Sequence, residues 1–137
     1  MNMFVARTHD IQIEVEPAFI PEESFPEVEY YYFAYHVRIL NLMEEQTIQL
    51  IHRHWKIRDG NQKEYLVDGV GVVGEQPKIR SGESYEYTSF CPLPTRTGSM
   101  RGHYDVRTED GRVLTIQIPL IFLQHYEEPR PSLRELH

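Results

Sequence analysis

Apolar and polar residues alternate in short runs along most of the chain, and no long segment shows the three- and four-residue spacing of a helix. Ile11, Ile13 and Val15 alternate with Gln12, Glu14 and Glu16, as in a half-buried strand. The longest run covers residues 30–41. Tyr31, Phe33, Tyr35, Val37 and Ile39 share one face there, and His36 and Arg38 share the other. Residues 47–58 predict a further strand with a change of phase. Ile48 and Leu50 point one way, Ile51, Trp55 and Ile57 the other, and a bulge or break near Leu50 and Ile51 reconciles them. Residues 63–68, 84–90, 100–107 and 113–123 complete the set.

Turn residues separate these runs, with hairpin signals at Asp59-Gly60-Asn61 and Glu109-Asp110-Gly111 and further turns at 41–45 and 81–83. Residues 17–26 hold three prolines and read as a loop, and Pro92 and Pro94 predict an extended loop up to Gly98. Seven or eight strands without a helix predict an all-β fold, an antiparallel sandwich of immunoglobulin or fibronectin type III kind. Trp55 is the natural anchor between the sheets, and Tyr104 stands where a tyrosine corner would. Residues 1–125 are expected to form this one domain. Residues 126–137, with Pro129 and Pro131, are expected to be a loose tail in which Ser132 and Glu135 can cap a helical turn.

A length of 137 residues suffices for one domain with a real core. The net charge of −7 argues against general nucleic-acid binding, which needs a basic face for phosphates. The single cysteine, Cys91, excludes an intramolecular disulfide. No apolar run approaches the roughly 20 residues of a membrane helix, and the N-terminus carries no signal pattern. A cytoplasmic protein without membrane contact is the resulting expectation.

Residues 69–74, GVGVVG, match the spacing of a pyrophosphate-binding loop, but no helix can follow, and no acidic residue stands about 20 positions on. Two readings remain. Gly69, Gly71 and Gly74 either form a tight, bulged crossing or expose successive amides as an anion nest. Arg96, Ser99 and Arg101 lie in a second donor-rich stretch, residues 95–102, suited to phosphate or carboxylate. His52 and His54 are two apart on a strand and so share a face, where both rings can grip one cation. A third ligand would have to come from elsewhere; His36, His103 and Cys91 are candidates. No nucleophile elbow, triad or activated thiol is recognisable, so no catalytic residue is assigned. Tyr30, Tyr31 and Tyr32 must place at least one ring outward, which suits a protein-binding sheet face.

Several segments carry a resemblance to the ApaG family: QLIHRHWKI at 49–57, GVGVVGEQP at 69–77, GESYEYTS at 82–89, CPLPT at 91–95, GSMRGHY at 98–104 and IPL at 118–120. The resemblance covers about residues 8–124 and is similar to the stand-alone bacterial form. It implies a fibronectin type III-like sandwich. It also implies an association with cobalt tolerance and magnesium efflux, a gene near one for diadenosine tetraphosphate hydrolysis, and a suggested pyrophosphate role for the glycine motif. Eukaryotic proteins carrying this domain imply protein binding. The acidic, proline-bearing stretch 19–29 departs from the family pattern.

The reading that follows is a non-enzymatic binding module without a cofactor, engaging a protein partner that the sequence does not name. Pyrophosphate or nucleotide-phosphate binding at residues 69–74 is the alternative, and a divalent-metal site at His52 and His54 another. Pairing of open sheet edges would give a homodimer.

Overall fold

The computed structural model describes residues 2–125, and the expectations for residues 126–137 lie outside them. Among the described residues the chain forms nine strands and two 3-10 turns. The strands are β1 (Phe4–Thr8), β2 (Ile11–Phe19), β3 (Tyr31–Asn41), β4 (Ile48–Asp59), β5 (Glu64–Val70), β6 (Lys78–Ile79), β7 (Ser84–Leu93), β8 (Thr97–Thr108) and β9 (Val113–Gln124). One antiparallel sheet runs β1-β2-β3-β7 and the other β5-β4-β8-β9, with β6 paired to β4. The predicted sandwich is therefore the observed fold, extended by two strands, β1 and β6, too short to announce themselves by alternation.

The inner faces are those the alternation assigned. Ile11, Ile13, Phe33, Val37 and Ile39 meet Leu50, Tyr104, Val106, Ile116 and Leu123 in the core, each at most 1% exposed. Trp55 lies between the sheets, edge-on to Tyr104 and tilted against Tyr35. Tyr104 is not at a strand start. It sits in mid-β8, fully buried, and its hydroxyl meets that of Tyr87 across the sandwich rather than a nearby backbone group. That is a correction to the tyrosine-corner expectation.

Prolines misled the loop assignments twice. β2 continues through Pro17 to Phe19 because β1 reaches only Val15, leaving one side of Pro17 without a ladder partner. β7 continues through Pro92 to Leu93, since β7 is an edge strand and tolerates the missing N–H. Within 19–29, residues Pro21–Glu23 and Pro26–Val28 are 3-10 turns. Ser24 anchors them, donating to the Ile20 carbonyl at 2.7 Å and accepting from the Tyr32 N–H at 2.9 Å.

The phase change in β4 is a bulge: Leu50 pairs with Val106, but His52 pairs with Asp105, leaving Ile51 as the extra residue. Upstream the even-numbered residues Ile48 and Leu50 are buried; downstream Trp55 is buried and His52, His54 and Lys56 face outward. A second bulge, in β9 opposite Arg101, shifts the buried phase from Ile116 and Ile118 to Ile121 and Leu123. Both bulges lie beside the same outer surface.

Candidate functional site

The outer face of the β5-β4-β8-β9 sheet is ordered in cross-strand rows. Asp68, His54, His103 and Gln117 form one row, and Leu66, Lys56 and Arg101 the next. Such neighbours have Cβ atoms about 5 Å apart and interact directly. His54 is the centre. Its Nδ1 lies 2.8 Å from Asp68 Oδ1 and its Nε2 lies 2.8 Å from Asp105 Oδ2. Hydrogen bonding to Asp105, then to Asp68, raises the His54 pKa above its ordinary value of 6.5. His103 stacks on His54 with ring centroids 4.4 Å apart, and its Nε2 lies 3.9 Å from Asp105 Oδ1.

His54, His103 and Asp105 each offer one ligand atom, and these atoms lie within 4.8 Å of one another. Ligand atoms around a cation at roughly 2.1 Å are about 3.0–3.4 Å apart; His54 Nε2 stands 2.8 Å from Asp105 Oδ2 and His103 Nε2 stands 3.9 Å from Asp105 Oδ1, so the side chains must shift slightly to share one cation. Two imidazoles and a carboxylate suit zinc, cobalt, nickel, manganese or ferrous iron. Asp68 on Nδ1 of His54 stands where an outer carboxylate commonly orients a ligating imidazole.

A depression of about 480 Å³ adjoins this cluster, lined by His54, His103, Asp68, Lys56, Arg101, Leu66 and Leu120 among others. His52, the other half of the sequence-derived pair, faces outward one row away, with its ring centroid 6.2 Å from that of His54. The structure instead supplies His103 and Asp105, which are two apart on β8. Period-2 alternation put both on one face, but only the β4–β8 register reveals which residues they meet.

The glycine motif is used internally. Gly69 lies in β5, and a Cβ there would stand 2.7 Å from the Arg53 guanidinium carbon. Arg53 donates through Nη1 to the carbonyls of Val70 and Gly71 at 3.1 and 2.9 Å. The Gly71 N–H donates to Ile51 at 2.7 Å, while Val72 and Glu75 exchange N–H to carbonyl bonds at 2.8 and 2.9 Å. Val73 and Gly74 both have positive φ, +49° and +79°, as a type I′ turn requires. The amides of Gly71, Val72 and Glu75 thus already have protein partners.

Nor does the second donor stretch meet the first. Gly71 attaches beside Ile51, whereas Gly98, next to Ser99, pairs with Asp59, eight residues or about 26 Å along β4. Arg96 lies in the link between β7 and β8, and its carbonyl accepts from the His125 N–H at 2.8 Å. Ser99 and Arg101 lie on β8 against Arg58 and Lys56, on the face carrying His54, while Gly69 is filled from the opposite face by Arg53.

A separate feature crosses the outer face of the other sheet. Phe25, Tyr30, Tyr32 and Phe90 form a ladder with successive centroid distances of 6.3, 6.3 and 5.4 Å. Phe25 and Phe90 are each 53% exposed, and Glu22, Glu23, Glu27 and Glu29 are exposed in the turns that hold the ladder's upper end. Cys91 is buried, and burial pushes its thiol up to about 11, the opposite of an activated nucleophile. Among the described residues no helix is long and apolar enough to cross a membrane.

The comparisons agree with this architecture. A profile of the ApaG domain matches residues 21–108. Protein ApaG of Paramagnetospirillum magneticum is 43% identical over 129 residues, 93% of this chain and 98% of that protein. Protein ApaG of Afipia carboxidovorans is 47% identical over 121 residues, 88% of this chain and 92% of that protein. The crystal structure of a Bordetella pertussis protein described as ApaA superposes with a TM-score of 0.81 at 43% identity, covering 86% of this chain and 95% of that one. With a matching profile over most of the sandwich and full-length relatives above 40% identity, the chain belongs to the ApaG family.

Proposed function

We propose that this protein is a binding module that holds a divalent transition-metal cation on the outer face of its five-stranded sheet. His54 Nε2, His103 and Asp105 are the ligands, and Asp68 orients His54. The observation that carries this reading is the convergence of those three donor atoms within 4.8 Å, with a carboxylate already on the far nitrogen of His54. Three protein ligands leave coordination positions open toward the depression. An association of bacterial relatives with cobalt tolerance and magnesium efflux would fit such a module. Nothing in the site calls for catalysis by the protein's own groups. The glycine loop supports phosphate binding less well, because its amides are engaged within the protein.

Titration of the purified protein with Co²⁺, followed by visible absorption and calorimetry, tests the proposal. A 1:1 complex with an absorption band is expected, lost in His103→Gln and Asp105→Asn and weakened about 10- to 100-fold in Asp68→Asn. A protein that gives no band and no heat at millimolar cobalt refutes it.

A second reading, protein binding, is favoured by the exposed aromatic ladder, because aromatic residues are enriched where interfaces bury their core. Phe90→Asp would then abolish capture of a partner by the immobilised protein while leaving its unfolding midpoint nearly unchanged. Equal capture by both forms would exclude this face.

A further inference from the structure

We infer that the depression beside His54 and His103 takes a small organic oxyanion, its charged end held by Arg101 together with the bound cation and its body lying on Leu66 and Leu120. This deepens the cation-binding reading and rests on it. Three independent features of the surface support it.

The first is a guanidinium without a partner among the described residues. Lys56 and Arg58, the neighbouring cations on this face, both pair with Glu64, at 3.0 and 2.7 Å. Arg101 is exposed and has no ion pair or hydrogen bond among the described residues. It stands two residues from His103 on the same face of β8, about 7 Å along the strand, and both line the depression. A guanidinium so placed beside a cation site is suited to bidentate contact with a carboxylate or phosphate.

The second is the wall. Leu66 is 71% exposed and Leu120 50% exposed, and Ile118 also lines the depression. Leu120 is turned onto this face by the β9 bulge. About 480 Å³ is within the range of sites for small organic molecules, and an inorganic ion would leave that apolar surface wet.

The third is the charge balance. Asp68 and Asp105 together neutralise a divalent cation, so Arg101 is then the surplus charge. Without the cation the site carries less positive charge beside Arg101 and draws an anion less strongly. Cation and anion must therefore bind cooperatively, each strengthening the other by the same factor.

Cobalt supplies the reporter. Co²⁺-loaded protein is titrated with phenyl phosphate, benzoate and inorganic phosphate, and the visible band is followed. A saturable change is expected with phenyl phosphate or benzoate, at a Kd at least tenfold below that for inorganic phosphate. The stronger of the two names the class as phosphate ester or carboxylate. Arg101→Gln should keep the cobalt band but weaken the organic anion at least tenfold, and Leu66→Ser should bring its affinity to that of inorganic phosphate. A band indifferent to all three anions, an unchanged response in Arg101→Gln, or equal affinity for inorganic phosphate overturns the inference while leaving the cation site standing. Absence of any cobalt band overturns both.

Discussion

Alanine substitution at each motif glycine gives a graded prediction, because the three positions differ in what a methyl group would meet. At Gly74 φ is +79° and nothing lies within 4 Å of the added carbon. The cost is left-handed strain of about 1–2 kcal/mol, offset by roughly 0.4–1 kcal/mol from a less flexible unfolded chain. At Gly69 the carbon would stand 2.7 Å from the Arg53 guanidinium, which can withdraw. Doing so breaks two charge-assisted bonds, to Val70 and Gly71, each worth about 1.5–3 kcal/mol. At Gly71 φ is +63° and the carbon would stand 1.9 Å from the Glu75 carbonyl oxygen, which is backbone held in the turn. Strain and overpacking of about 1–3 kcal/mol add there, and the bond to Ile51 is lost as the loop shifts.

Thermal unfolding followed by circular dichroism reads the series. With about 2.1 cal/mol/K of unfolding entropy per residue, each kcal/mol lowers the midpoint of a chain this size by about 3–4 °C. Gly74→Ala should lose only a few degrees, whereas Gly69→Ala and Gly71→Ala should each lose about 10 °C or more. If Gly71→Ala is as mild as Gly74→Ala, the glycines are not there to close the chain on itself, and the packing argument fails.

In the metal-free protein the His54 ring should titrate above 6.5 by NMR, returning toward 6.5 in Asp105→Asn. Because the folded value is raised, its contribution to stability is complete below pH 6.5 and is lost as pH rises through the folded value; titration at or below 6.5 would contradict the clamp. Cys91 should resist iodoacetamide at pH 8 until the protein unfolds, since its buried thiol titrates at about 11. Its raised value makes stability fall as pH rises from 9 toward 11, and labelling at the rate of a free thiol would refute the burial. Tyr104→Phe should cost about 1–3 kcal/mol by leaving the buried Tyr87 hydroxyl unpaired, and adding Tyr87→Phe should recover most of it. Additive losses in calorimetry would show that the two hydroxyls do not depend on each other.

The site and the glycine motif meet at one residue, and that residue marks the limit of what the sequence discloses. Alternation in 30–41 and 113–123 was legible because one face of each strand is buried and the period is 2. The phase break in β4 was legible as well, since Leu50 and Trp55 cannot both face inward on an unbroken strand. What no local pattern discloses is how the break is sustained. The extra residue, Ile51, turns its carbonyl out of the β4–β8 ladder, and Gly71 N–H takes it at 2.7 Å with Gln76 Nε2 at 3.2 Å. A side chain at 71 would collide with the Glu75 carbonyl oxygen, 1.9 Å from its Cβ, so the turn that presents this N–H needs glycine there. The motif that resembles a phosphate loop therefore holds the bulge, and the bulge turns His54 away from the core and toward Asp68, Asp105 and His103. On an unbroken strand without the bulge, His54 would keep the phase of Leu50 and point between the sheets, where an imidazole flanked by two carboxylates could not be accommodated. The sequence named His54 and the glycines separately; their dependence lies in a 20-residue separation that only the β4–β5 pairing closes.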